Sequence, residues 1–172
     1  MNYAITWPQF FTATIYNWKQ ILKDDQYKDI IINCLKFLVN NKMVEVNAFV
    51  VMSNHVHIIW QPLQHYTLTQ VQTSFMTYTA KTIKKKLLLE NPDLLEKFKV
   101  NKYDRTYQIW KREPLSVELF TEKAFLQKLG YIHHNPVVAG LVHLPEQYYY
   151  SSAKFYEIGI DDFNLLVHYT GN

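Results

Sequence analysis

Apolar positions along this chain switch between a period of two and a period near 3.6. Residues 9–18, QFFTATIYNW, alternate around Phe11, Ala13 and Ile15 and are rich in β-branched and aromatic types, which predicts a strand. Asp24 and Asp25 then offer an N-cap, and Ile30, Ile31, Cys34, Leu35 and Leu38 recur at helical spacing up to Asn41. Two more strands are predicted over 44–52 and 55–61, joined by the hairpin connector Met52-Ser53-Asn54. A long helix is predicted over 69–89, with Val71, Phe75, Tyr78, Thr82 and Ile83 on one side and Pro92 interrupting it. A short strand over 107–110 follows. A second strong helical segment over 117–134 carries Leu119, Phe120, Phe125, Leu126, Leu129 and Ile132, and Pro136 and Gly140 close it. From Leu144 the chain is Tyr-rich and less regular. This order predicts an α+β fold, an antiparallel sheet with a ferredoxin-like βαββαβ core and helices on one face, plus a C-terminal tyrosine-bearing helix and tail. No repeat or Gly/Ser linker divides it, so a single domain over 1–172 is expected.

Composition narrows the class. Hydrophobic content of 48% with 19% charged residues excludes wholesale disorder, and a chain of this length buries about 70% of its unfolded surface on folding. The single cysteine, Cys34, excludes an intramolecular disulfide framework and a Cys-based zinc site. No apolar run is long enough for a membrane span, and the N-terminus has no secretion-signal pattern, so no membrane partner and a cytoplasmic location are expected.

Charge is uneven. The net is +3, yet Lys81 to Arg112 holds ten basic residues against four acidic ones, a local +6 that leaves the remainder at −3. Lys81, Lys84, Lys85, Lys86, Arg105 and Arg112 are candidate contacts for a polyanion, with Tyr78, Phe98, Tyr103, Tyr107 and Trp110 interleaved. Basic and aromatic side chains mixed in this way suit single-stranded nucleic acid, where bases stack and phosphates pair. A solvated helix face with a basic last turn explains the same charges without a ligand.

His55 and His57 stand two apart on a predicted strand and so leave the same face of the sheet. Val56 points into the core, with Ile58 assigned to the imidazole face. Paired imidazoles are a common start for a divalent metal site, although neighbouring histidines on a strand are often structural. Further along, Tyr131 and Asn135 lie four apart near a helix end and share a face. A tyrosine hydroxyl beside a metal can act as nucleophile, and an amide oxygen one turn later could add a ligand. Alternatively Tyr131 packs in the core and Asn135 is a C-cap before Pro136. His133 and His134 point about 100° apart and read as surface or phosphate-contacting groups.

The segments VNAFVVMSNHVHIIWQP and YIHHNPVVAGLV, in this order, resemble the single-tyrosine HUH transposases, and more closely their REP-associated tyrosine transposase branch. Met52-Ser53-Asn54-His55-Val56-His57 resembles the family's M-P-N-H-U-H block with Ser53 where Pro is usual, and Tyr131 to Val142 resembles its Tyr-I-x-x-N-P-V-x-x-G-L-V block. Trp7 to Tyr16 looks like the family's first strand, Trp110 like its W-x-R segment, and Tyr150-Ser151-Ser152 like its W-P-x-S-S tail, with Tyr for Trp.

The resemblance implies that His55, His57 and Asn135 hold Mg²⁺ or Mn²⁺, and that Tyr131 attacks a phosphate of single-stranded hairpin DNA to leave a 5′-phosphotyrosine. It implies a monomer or a homodimer with the tyrosine supplied from the partner. Tyr78 is a competing nucleophile on the long helix. Two other classes stay in play: a domesticated hairpin-DNA-binding module without strand transfer, and a metal-dependent hydrolase of small phosphoesters that would not need Tyr131.

Overall fold

The computed structural model describes residues 7–171. A four-stranded antiparallel sheet in the order β2-β3-β1-β6 forms its centre. The strands are β1 (Gln9–Thr14), β2 (Val44–Val51), β3 (His55–Pro62) and β6 (Leu115–Glu118). Helix α1 (Asp25–Asn40) links β1 to β2, and α2 (Leu68–Glu90) leads out of β3. A short helix α3 (Pro92–Glu96) and a small hairpin of β4 (Lys99–Lys102) and β5 (Arg105–Tyr107) precede β6. Helix α4 (Glu122–Val138) and a final short helix α5 (Ala153–Ile158) complete the chain. β1, α1, β2, β3, α2 and β6 thus make the expected βαββαβ core. Among the described residues, no helix is long and apolar enough to cross a membrane.

Local sequence accounts for the helix starts. The Asp24 carboxylate accepts the Gln26 N–H at 3.0 Å to cap α1, and Thr67 with Gln70 forms a reciprocal capping box on α2. Strand alternation then sorts side chains into two cores. Phe11, Ala13, Val56, Ile58 and Trp60 face α1 and α2, meeting Leu35, Leu38, Phe75 and Ile83. Phe10, Ala48, Val50 and Ile59 face the other way, against Phe125 and Ile132 of α4. A bulge between Val46 and Ala48 of β2 shifts the parity by one. Val44 and Val46 before it, and Phe49 and Val51 after it, therefore reach the same core. The sheet is in this way a partition, with α1 and α2 on one side and α4 on the other.

The structure departs from the sequence expectations at several points. The first strand ends at Thr14, because Asn17 and Trp18 adopt left-handed backbone in a 3-10 turn. Ile58 lies with Val56 in the α1/α2 core, as strict alternation requires, and Ile59 is the neighbour on the imidazole face. The strand expected over 107–110 is divided: β5 stops at Tyr107 and pairs only with β4, while Trp110 makes a lone bridge to Ile15. The fourth strand is instead Leu115–Glu118, within the segment assigned in part to a helix. It pairs with β1 at the sheet edge and all four of its residues are exposed, so no apolar alternation was needed to hold it there. Helix α4 begins only after Thr121, whose hydroxyl accepts the Ala124 N–H at 3.1 Å. It runs through Pro136 to Val138 before Gly140 turns the chain at φ +70.

The tail is irregular but tied down. Ser152 donates its N–H to the Phe49 carbonyl at 2.9 Å, and its hydroxyl meets His133 Nε2 at 2.8 Å. His133 is therefore buried, not on the surface as its position beside His134 suggested. Burial, helped by the charge of His134, pushes His133 down to about 4. Such a histidine is neutral in the fold yet protonated in the unfolded chain between pH 4 and its ordinary value, so its contribution is lost as pH falls through that window. Unfolding free energy, measured by urea titration, should fall on going from pH 7.5 to 4.5, and His133→Asn should remove about 2 kcal/mol of that fall.

Candidate metal and tyrosine site

Three elements build the site. β3 is an interior strand, paired on one side with β2 and on the other with β1. Register places Thr12 opposite His57 and Thr14 opposite His55. The two imidazoles share the α4 face, their ring centroids 4.7 Å apart. Thr12 Oγ1 lies 2.7 Å from His57 Nδ1, and Asn54 Oδ1 lies 2.7 Å from His55 Nδ1. An amide oxygen can only accept, so His55 carries its proton on Nδ1 and leaves the Nε2 lone pair free of it. The Thr12 hydroxyl, which can donate or accept, engages His57 Nδ1 whichever tautomer His57 adopts. His57 Nε2 is buried and has no hydrogen-bond partner among the described residues.

Helix α4 brings the remaining groups. Phe125 and Ile132 anchor it to the sheet, which turns the face bearing Lys128, Tyr131 and Asn135 toward the histidines. The Tyr131 ring stands edge-on to His57 at 5.2 Å between centroids and edge-on to Phe10 at 6.1 Å. It is 52% exposed, so the hydroxyl-bearing ring is open to a large substrate and is not a core residue. The Asn135 side chain hydrogen-bonds with His55, and the helix cap lies four residues on, at Ala139. Asn135 therefore faces His55 and is not the C-cap.

Lys128 was not visible as a site residue in the sequence reading. Its Nζ sits 4.7 Å from the Phe10 ring centroid and 5.7 Å from that of Tyr131. No carboxylate pairs with it among the described residues. The i, i+3 spacing to Tyr131 was the available signal. Thr12 and Phe10, the latter stacked on His57 at 5.4 Å, are further supports that only strand register could have revealed.

Electrostatics favour neutral imidazoles. Burial first, then the positive charges of His55 and Lys128, pushes His57 down to about 3. Burial also lowers His55, partly offset by its hydrogen bond with Asn135. Neutral, Nδ1-anchored imidazoles with outward Nε2 atoms are the form a divalent cation binds. Among the described residues no cluster of three His, Cys, Asp or Glu could complete such a site. The two imidazoles and the Asn135 amide are the polar groups gathered here, and the buried His57 Nε2 lacks a hydrogen-bond partner among the described residues.

The other candidates lie elsewhere. Lys81, Lys84 and Lys85 are exposed on the C-terminal half of α2, and Lys86 pairs with Glu90 at 2.7 Å. All four are on the α1/α2 side of the sheet, away from Tyr131. Tyr78, the competing nucleophile, stacks on Phe37 of α1 on that same side. Arg105 and Arg112 border an open groove of about 600 Å³ between α2 and the segment after β5, which Tyr107, Trp110 and Lys111 also line. Arg105 is held by Asp104 at 2.7 Å.

Loss of the Thr12 hydroxyl should loosen His57 without emptying the core. Thr12→Val should weaken Mn²⁺ binding about 10- to 100-fold, read by the loss of the free-ion paramagnetic resonance signal on titration. Unchanged affinity would separate Thr12 from any role in orienting the ligand.

Comparison with known proteins bears on the family and the fold. Residues 9–118 match the family model described as "Transposase IS200 like", a span from β1 through β6 that includes both histidines and stops short of α4. No curated protein matches the sequence significantly. A solved REP-associated tyrosine transposase bound to a REP hairpin has a similar fold, with a TM-score of 0.67 at 19% identity over 100% of this chain and 90% of that one. A Deinococcus radiodurans R1 protein assigned as a transposase gives 0.50 at 17% identity, over 77% of this chain and 92% of its own. With the family model covering well over half of its length, this chain belongs to the IS200-like transposases.

Proposed function

We propose that the chain is a metal-dependent single-stranded DNA transposase that binds hairpin DNA, cleaves it with Tyr131 and rejoins strands. The observation that carries this reading is the convergence of Tyr131, Lys128 and Asn135 from one helix face on the paired imidazoles of β3. A binding module would need none of these groups brought together. The hairpin in the REP-associated relative supports DNA of that form as the substrate.

Tyr131 attacks the scissile phosphorus in line with the 3′ oxygen. Its own O–P bond forms as the bond to the 3′ oxygen breaks, leaving a 5′-phosphotyrosine and a free 3′-OH. The phenol proton is lost to solvent, and the departing oxygen gains one from it. The link conserves the phosphodiester, so the reverse reaction rejoins strands without a nucleotide cofactor. His55, His57 and Asn135 would hold Mg²⁺ or Mn²⁺, which when bound supplies Lewis-acid polarisation of the phosphate. Thr12 and Asn54 keep the two imidazoles oriented, and the Lys128 ammonium offers a positive charge to the phosphate oxygens. One chain carries every one of these groups, so a homodimer is not needed to complete the site.

The basic residues across the sheet suit the body of the hairpin. Lys81, Lys84 and Lys85 would contact backbone phosphates, as would Arg105 and Arg112 at the groove.

Tyr131→Phe should abolish the slow-migrating, protease-sensitive band formed on a denaturing gel from labelled hairpin DNA and Mn²⁺, while hairpin binding stays within about twofold. DNA cut without that band would favour a hydrolase, and a gel shift with neither product would favour the binding module. Lys128→Gln should slow adduct formation about 10- to 100-fold at saturating DNA; an unchanged rate would remove it from the chemistry. Lys84→Glu with Lys85→Glu should weaken hairpin binding and flatten its dependence on salt, whereas an unaltered slope would place DNA elsewhere.

A further inference from the structure

We propose that Trp18 is a stacking platform for an unpaired base of single-stranded DNA at the histidine end of the site. This rests on the DNA-cleaving reading above and names how the strand is held next to it. After β1 the chain turns sharply, with Asn17 at φ 54 and Trp18 at φ 51. Left-handed backbone is uncommon outside glycine and is a real outlier for a bulky side chain. The surroundings impose it. Trp18 donates its N–H to the Ile15 carbonyl at 2.9 Å, Ile15 donates to Asn54 at 2.8 Å, and Tyr16 donates to Ile109 at 2.8 Å.

This pinned turn does not bury the indole. Trp18 is 62% exposed, whereas Trp60 and Trp110 are core residues at 0% and 5%. Lys111 Nζ lies 5.4 Å from the Trp18 ring centroid, and Lys111 also lines the groove bordered by Arg105 and Arg112. A basic groove therefore leads to a rigidly presented aromatic surface with a cation beside it. Bases stacked on such a surface, with phosphates at neighbouring cations, are the usual grip on single strands.

The platform is joined to the reaction site through one side chain. Asn54 donates from Nδ2 to the Trp18 carbonyl at 3.4 Å, and its Oδ1 meets His55 Nδ1 at 2.7 Å. The turn that presents Trp18 is thus tied, through its backbone carbonyl, to the amide that orients a proposed metal ligand.

The test is fluorescence anisotropy with short labelled oligo-dT, alongside quenching of intrinsic indole emission. Trp18→Ala and Trp18→Gly should each weaken binding about tenfold, with the salt slope unchanged because no ion pair is lost. Trp18→Phe should keep most of the affinity. Lys111→Gln should lower the salt slope by about 1. Glycine relaxes the left-handed backbone, so Trp18→Gly should keep a thermal midpoint at or above that of the parent, which separates lost stacking from misfolding. Parent-like affinity in folded Trp18→Gly, with no oligo-dT quenching in the parent, would overturn the proposal. Failure of the transposase reading has another signature: Trp18-dependent oligo-dT binding with no Tyr131-dependent adduct from any hairpin.

Discussion

The antiparallel pairing of β1 with β3 is the constraint on which the site depends. Its register puts the Thr12 hydroxyl against His57 Nδ1, while Nε2 is buried and has no hydrogen-bond partner among the described residues. A slip of one residue would turn both imidazoles to the opposite face. β3 cannot slip easily, because it is bonded on both edges and its alternate residues, Val56, Ile58 and Trp60, are locked in the larger core. The same burial that fixes His57 also keeps it uncharged, so packing and ligand chemistry have one cause.

The sheet divides labour between its two sides. Helix α4 and its Tyr131 lie over the imidazoles, while the lysine-rich end of α2 lies across the sheet. Besides the packing of Phe125 and Ile132, the tail ties α4 to β2. Ser152 bridges the Phe49 backbone and His133, and Tyr156 adds a hydrogen bond to the Asn47 carbonyl at 2.7 Å. A segment with no chemistry of its own therefore helps to set how Tyr131 lies against His57. The groove, Lys111 and Trp18 follow the other route, past the end of β1 to Asn54 and His55.

Much of this was legible from sequence. Alternation and helical spacing gave α1, β2, β3 and α2 nearly to the residue, and β1 except for its end, which comes at Thr14. His55 and His57 share a face, and Tyr131 shares one with Asn135, simply by the periods of strand and helix. The failures share a physical origin. β6 is an edge strand whose Leu115 and Val117 stay 54% and 39% exposed and join neither core, so no hydrophobic pattern marked it. Pro136 and Gly140 were both read as closing the segment; the helix runs through Pro136 to Val138, and the chain turns at Gly140. Thr12, Phe10 and Lys128 could not be placed because their roles arise from register and from packing across the sheet, which spacing along one chain does not encode.

The most direct measurement is to find the atom that carries the DNA. Protein incubated with labelled hairpin DNA and Mn²⁺ would be digested with trypsin and the nucleotide-bearing peptide sequenced by mass spectrometry. Attachment at Tyr131, within the peptide that follows Lys128, is the expected result. Attachment at Tyr78, or hydrolysed DNA with no peptide adduct, would contradict the assignment of Tyr131 as the nucleophile facing His55 and His57.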